Sequence, residues 1–280
     1  MRVIVTGASG QLGTDVVLRL QNCGHTPIPT DIDQLDITRR DDVLSFLTEN
    51  AADAVIHCAA FTAVDRAEDE PEAAAYINVD GTRNIAEAAE KIGMKMLYVS
   101  TDYVYPGTGF RPQTEETVPA PCNVYGQTKW LGELAAAVCS KLFIVRTSWV
   151  FGTAGNNFVR TMLRLSETHE MLRVVADQIG SPTFTEDLAV LLCRMVETER
   201  YGTYNATNEG YCSWYSFARE IFRFAGKDTL VLPVSSETYA AKASRPKNSR
   251  MSKQKLLFEG FSPLPTWQNA LERYLKKELC

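Results

Sequence analysis

The stretch NVYGQTK, residues 123–129, sets Tyr125 four residues ahead of Lys129. On a helix, positions i and i+4 share a face, so a phenol and an ammonium stand within reach of each other. A free phenol has a pKa of about 10 and exchanges protons poorly near neutrality. A neighbouring cation favours the phenolate and lowers that value. The spacing therefore suits an acid/base device, and it suits two ordinary helix residues equally well. Context has to separate them.

A second stretch offers different chemistry. TGASGQLG, residues 6–13, follows the apolar run RVIVT and opens a helical pattern. Gly7, Gly10 and Gly13 permit a tight turn, close approach of a pyrophosphate and close helix packing. A helix N-terminus there offers unpaired N–H groups and the positive end of its dipole to phosphates. The spacing is G-x-x-G-x-x-G rather than G-x-G-x-x-G. Asp31 follows about twenty residues later, where a carboxylate can bind the adenosine ribose hydroxyls of a dinucleotide. Such a carboxylate favours the free 2′-hydroxyl of NADH and repels the 2′-phosphate of NADPH. Arg39 and Arg40 either compensate or are solvated helix residues, so NADPH and NADH both stay open.

These motifs need a scaffold. Short runs rich in β-branched residues alternate with longer helical patterns, which predicts a parallel sheet covered by helices. The candidate strands are 2–7, 53–60, 95–101, 142–148 and 171–177; the candidate helices between them are 11–21, 70–92 and 128–138. Pro71 is tolerated in a first helical turn, and Gly93 sits where a left-handed residue would end a helix. A further strand belongs at HTPIPTD, 25–31, but Pro27 and Pro29 cannot donate to a ladder, which predicts a short or distorted strand. Beyond about residue 200 the alternation loosens around helices at 213–226 and 265–279. The expected fold is α/β, a Rossmann-like doubly wound parallel sheet with a smaller C-terminal substrate-binding lobe. Residues 1–150 plus 170–200 are expected to form the NAD(P)-binding domain, and 151–169 plus 201–280 the lobe.

The 280 residues are 45% hydrophobic and 22% charged, with a formal net charge of −5. That balance argues against nucleic acid or an anionic membrane as a general partner. No run approaches the roughly 18 apolar residues of a membrane span, and the N-terminus lacks the apolar region of a signal peptide. The seven cysteines are scattered, without a C-x-x-C pair, which points away from a disulfide framework or a zinc site and toward a reduced, cytoplasmic protein.

TGASGQLG, Asp31, STDYVY (100–105) and YGQTK (125–129), in this order, resemble the extended short-chain dehydrogenases/reductases. HCAAFTAVDRAE (57–68), RTSWVFGTAGNNFVRTML (146–163), VADQIGSPTFTEDLA (175–189) and RPKNSRMSKQKL (245–256) narrow the resemblance to the dTDP-4-dehydrorhamnose reductase family. It runs from the first strand to about residue 258; Cys58 and Phe61 stand in a stretch where relatives vary. The resemblance implies reduction of a C4 ketone on a dTDP-linked 6-deoxy sugar, with Tyr125 as proton donor and Lys129 as its tuner and as holder of the nicotinamide ribose. Thr101 would bind the carbonyl oxygen; Ser100 precedes it and would face the other way. It also implies cofactor contacts at Gly7, Gly10, Gln11, Leu12, Gly13, Asp31, Ala59, Ala60, Phe61, Tyr125 and Lys129. Thr62, Thr101, Asp102, Tyr103 and Trp149 would line the sugar pocket, and Arg245 and Arg250 would fork onto the diphosphate. Trp149, Arg245 and Arg250 have plain alternatives as core or surface residues. His57 and His169 read as structural, and His25 has no role.

The resemblance allows a homodimer and a magnesium ion, although no carboxylate cluster marks a metal site. Dehydratases of the superfamily carry Asp-Glu after the threonine, whereas this chain has Asp102-Tyr103, which favours simple reduction. Epimerases remain a rival reading, as does a non-catalytic regulatory subunit like that of methionine adenosyltransferase.

Overall fold

The apolar runs near residues 2, 53, 95 and 142 become the centre of one six-stranded parallel sheet in a computed structural model that describes residues 1–239 and 241–279. Its first five strands are β1 (Arg2–Thr6), β2 (Thr26–Thr30), β3 (Ala54–His57), β4 (Lys95–Thr101) and β5 (Leu142–Thr147). Then follow β6 (Val150–Phe151), β7 (Met171–Val175), β8 (Ile179–Gly180), β9 (Thr183–Phe184), β10 (Gly202–Asn205), β11 (Cys212–Ser213) and β12 (Leu230–Val234). The spatial order of the large sheet is β2-β1-β3-β4-β5-β10. Order reverses between β1 and β3, and in open α/β sheets a crevice opens above the carboxyl ends at such a point.

Side-chain alternation explains the layers. Val3 and Val5 face one way and Ile4 the other, as a period of two requires. The first face is covered by α1 (Gln11–Asn22), which buries Leu12, Val16 and Leu20. The second is covered by α2 (Arg40–Asn50), whose Val43 and Leu47 point inward. After β3 come α3 (Val64–Ala67) and α4 (Pro71–Ala75), then a π-helical stretch, Tyr76–Gly81, and α5 (Thr82–Ile92). Pro71 stands in the first turn of α4, and Gly93 ends α5 with φ of 71°. Helix α5 and α6 (Val124–Ala136) complete the second face. Next come α7 (Phe158–Ser166) and α8 (Thr185–Val196), the latter lying beside α1 on the first face. The chain closes with α9 (Trp214–Ala225), α10 (Ser236–Tyr239), α11 (Gln254–Phe258) and α12 (Trp267–Glu278). Phe151, Val159, Phe184, Phe217, Ile221, Trp267 and Tyr274 make a separate lobe core.

Two expectations are corrected. Strand β2 is neither short nor broken: its five residues pair in register with all of β1, Pro27 opposite Val3 and Pro29 opposite Val5. It is the sheet edge, so two residues that share an N–H direction can both be proline while Ile28 serves the ladder. The run at 171–177 does form β7, yet β7 pairs with β12 in the lobe, and β10 takes the sixth place beside β5. The boundary drawn from sequence, 170–200 with the dinucleotide domain and 201–280 with the lobe, therefore crosses the sheets.

Among the described residues no helix is long and apolar enough to cross a membrane. The six described cysteines are free thiols; Cys280 lies outside the described residues.

Candidate active site

Helix α6 starts four residues before the sequence pattern suggested, because Asn123 caps it: its Oδ1 accepts the Gly126 N–H at 2.7 Å. Tyr125 thereby falls in the first turn and Lys129 one turn on. The Lys129 side chain is buried, its Nζ donating to the Val99 carbonyl at 2.8 Å and standing 4.0 Å from the Tyr98 ring centroid. Tyr125 meets the Tyr103 ring edge-on, centroids 5.5 Å apart.

Burial dominates the electrostatics. It pushes the Tyr125 phenol up to about 12, against a pull downward from the Thr101 side chain. It pushes the Lys129 ammonium down to about 7, against the charges of Glu133 and Cys58. Desolvation is the largest influence on the phenol.

Thr101 ends β4. Its hydroxyl donates to Asp102 Oδ1 at 3.1 Å and accepts the Tyr103 N–H at 3.3 Å. Ser100 instead gives its hydroxyl to Glu133, at 2.5 Å, which leaves Thr101 as the hydroxyl beside Tyr125. Asp102 is buried, and burial pushes its carboxyl up to about 6, opposed by Ser249 and Thr101. Its Oδ2 has no hydrogen-bond partner.

One cleft of about 700 Å³ at the switch point joins these groups to the glycine loop. From the expected cofactor set it gathers Gly7, Gly10, Gln11, Leu12, Gly13, Asp31, Ala59, Ala60, Tyr125 and Lys129; from the expected sugar set, Thr62, Thr101, Asp102, Tyr103 and Trp149. Glycine is required at two loop positions. Gly7 has φ of 66° with the Ala59 nitrogen 2.8 Å from where a Cβ would stand, and a Cβ on Gly13 would meet the Gly7 carbonyl oxygen at 2.1 Å. Asp31 accepts the Ser9 N–H at 2.9 Å, so its carboxylate is fixed at the loop. This strand, glycine turn and helix start suit a dinucleotide's phosphates.

Three expected residues lie elsewhere. The Phe61 ring is buried with Ala67 and Ala74, beneath the Arg66 guanidinium, because its N–H is tied to Asn78 Oδ1 at 2.8 Å. Arg245 and Arg250 line a second cleft, also about 700 Å³, with Asp177 and Lys247. Arg245 forks onto Asp65 of α3, Nη1 to Oδ1 at 2.9 Å and Nη2 to Oδ2 at 2.8 Å, and holds that carboxyl down to about 2. Arg250 donates to Asn248 at 2.9 Å. Tyr103 lines the first cleft and lies within the field of Arg245.

Sequence reasoning missed Asp33 and Asp36, which line the cleft beyond Asp31; the acid repeat in DIDQLD was their only signal. Arg39 and Arg40 are exposed and paired with Asp42 and Glu87. His57 is buried and held by Thr6 at 2.7 Å and Thr82 at 3.2 Å. Among the described residues, no group of three or more His, Cys, Asp or Glu could hold a metal ion.

A parallel sheet with a glycine loop after β1, a threonine ending β4 and a Tyr-x-x-x-Lys pair on the next helix defines an extended short-chain dehydrogenase/reductase, an oxidoreductase of the Rossmann type. The chain belongs to the RmlD substrate binding domain family, whose model matches residues 1–280. It is 39% identical over 277 residues to the spore coat polysaccharide biosynthesis protein SpsK of Bacillus subtilis, covering 99% of this chain and 97% of that one. It is 40% identical over 286 residues to a dTDP-4-dehydrorhamnose reductase of Aggregatibacter actinomycetemcomitans, covering 97% of each. The crystal structure of dTDP-4-dehydrorhamnose reductase from Bacillus anthracis in complex with NADP superposes with a TM-score of 0.96 at 45% identity, over 99% of both chains.

Proposed function

We propose that this protein reduces the C4 ketone of dTDP-4-dehydro-L-rhamnose to give dTDP-L-rhamnose, with NADPH or NADH as reductant. The observation that carries the reading is the meeting of Thr101, Tyr125 and Lys129 in the same cleft as the glycine loop and Asp31. Gly7, Gly10 and Gly13 leave room for the pyrophosphate of a dinucleotide, and Asp31 receives its ribose; when bound, the nicotinamide supplies the hydride. Thr101 and Tyr125 then address the oxygen on which negative charge develops. A phenol held near 12 is protonated at neutral pH and so is ready to donate. Lys129 anchors the ribose and sets positive charge beneath the reacting groups. Positioned proton donation of this kind contributes about 10²–10⁴ in rate. Thr62, Asp102, Tyr103 and Trp149 surround the sugar, and Arg245 and Arg250 in the adjoining cleft take the diphosphate, Arg245 by sharing or exchanging Asp65.

The test is to mix the purified protein with dTDP-4-dehydro-L-rhamnose and follow reduced cofactor at 340 nm, with the sugar product identified by mass and NMR. Oxidation with formation of dTDP-L-rhamnose supports the reading. Oxidation only with another dTDP- or UDP-linked 4-keto sugar moves the protein to a neighbouring reductase, a second reading favoured by the similarity to SpsK, whose name specifies a polysaccharide rather than a sugar. Inertness toward all of them would favour a non-catalytic role. Dehydration of dTDP-glucose would defeat the reductase reading, since Tyr103 stands where dehydratases carry glutamate.

A further inference from the structure

The catalytic face of α6 rests on an ion pair closed off from solvent. The side chains of Glu133 and Arg146 are only 5% and 6% exposed. They meet in a two-pronged contact, Nε to Oε1 at 2.9 Å and Nη2 to Oε2 at 2.6 Å. The remaining polar atoms are also engaged: Ser100 donates to Glu133 Oε1, and Arg146 Nη1 donates to the Tyr105 hydroxyl at 2.9 Å. Tyr105 in turn donates to Asn205 Oδ1 at 2.8 Å, which ties in β10. A buried pair of this kind is a poor source of stability, because apolar residues of similar volume usually serve as well or better. Its position supplies a reason for it.

Glu133 follows Lys129 by one turn of α6, so carboxylate and ammonium share a face. Ser100 precedes Thr101 on β4, and Arg146 precedes Thr147 on β5; in the ladder Ser100 is opposite Arg146 and Thr101 opposite Thr147. The pair thus grips the residue before the catalytic threonine, the residue before a second cleft-lining threonine, and the helix that carries Tyr125 and Lys129. The groups facing Lys129 are Tyr125 and Glu133 on its own helix, Tyr98 and the Val99 carbonyl on β4, and His57 and Cys58 at the end of β3. Burial keeps the Tyr98, Tyr125 and Cys58 groups protonated and His57 neutral near pH 7. Glu133 is the one carboxyl group of this set, and it is paired with Arg146.

We propose that Glu133 and Arg146 are positioning residues of the reductase: Glu133 is the countercharge that keeps Lys129 an ammonium, and Arg146 locks Glu133 to β4 and β5 so that Thr101 and Lys129 hold their relative setting. The proposal rests on the catalytic reading of Thr101, Tyr125 and Lys129. That reading fails separately, if the parent protein is inactive or Tyr125→Phe matches it.

The experiment compares the pH dependence of kcat/KM in the parent, in Glu133→Gln/Arg146→Gln and in Glu133→Asp, with folding checked by circular dichroism and thermal melting. Losing the Lys129 proton ends activity at high pH. Without the neighbouring anion that loss comes at lower pH. In the folded double variant the alkaline limb should move down by about one unit, roughly a tenfold loss of kcat/KM above the limb, with activity recovering toward acid pH. Glu133→Asp keeps the charge and shifts its place, so the limb should stay while kcat falls about tenfold. A merely structural pair gives a folded double variant with the parent's limb and rate, and that result overturns the proposal. If the double variant does not fold, Glu133→Asp decides: a parent-like kcat removes the positioning role, and a tenfold fall at an unmoved limb supports it.

Discussion

Trp149 and Trp214 lie face to face, ring centroids 3.6 Å apart and planes 13° from parallel. Trp149 joins β5 to β6 with φ of 48°, a left-handed setting that side-chain-bearing residues adopt at a cost of roughly 1–2 kcal/mol. The stack on α9 compensates, so the indole that lines the cleft is held by the lobe. Trp214→Ala should therefore raise KM for the sugar nucleotide about tenfold, leave cofactor affinity within about twofold of the parent, and remove the exciton signal of the stacked indoles from the far-ultraviolet circular dichroism. Unchanged kinetics together with a lost exciton signal would show that the stack does not serve the substrate.

Tyr125→Phe removes a hydroxyl and little else. Turnover should fall by about 10²–10⁴, which corresponds to roughly 3–5 kcal/mol of transition-state stabilisation, while melting temperature and cofactor affinity persist. Lys129→Met should slow turnover and also weaken cofactor binding, because the ammonium has two tasks. Steady-state kinetics with cofactor binding measured by fluorescence separate the two variants. A Tyr125→Phe rate within a few-fold of the parent would return the pair to ordinary helix residues.

The ribose end of the cleft carries Asp31, Asp33 and Asp36, while Arg39 and Arg40 are engaged with other carboxylates. A 2′-phosphate would meet this acidic rim. Asp31→Ala should shift the ratio of kcat/KM toward NADPH by about tenfold, near 1.4 kcal/mol. Both cofactors should lose some affinity as well, because Asp31 also secures the Ser9 N–H. An unchanged ratio would mean that this carboxylate does not face the ribose.

His57 is held neutral by burial, its pKa pushed down to about 3 from 6.5. Between those values the unfolded chain binds a proton that the folded chain refuses, so this contribution to stability is complete above pH 6.5 and is lost as pH falls toward 3. Asp102, raised to about 6, acts in the opposite sense, losing its contribution as pH rises from about 4 to 6. The urea midpoint of the parent should drop between pH 7.5 and pH 4.5 by more than that of His57→Asn. The variant should also be weaker throughout by about 1–3 kcal/mol, having lost its bonds to Thr6 and Thr82. Parallel curves for the two proteins would rule out His57 as the source of acid lability.

The sequence by itself determined what local rules govern. A strand, a glycine loop and a helix start occupy consecutive residues, so residues 2–22 declare their shape and their phosphate chemistry without help from the rest. Gly93 and Gly226 end helices by their own backbone freedom, and Tyr125 and Lys129 share a face through helical spacing alone. Tertiary structure decided whatever depends on partners far along the chain. Residues 171–175 and 202–205 are both short apolar-bearing runs, and only packing places one in the lobe and the other against β5. Pro27 and Pro29 are tolerable because β2 lies at an edge, a property of sheet order. Arg245 takes Asp65, 180 residues away, as its partner, and Trp149 takes Trp214. The protonation of Tyr125 and Lys129 is set in the same way. Spacing promises a cation beside a phenol, but desolvation depends on how completely α6, β3 and β4 close around the pair.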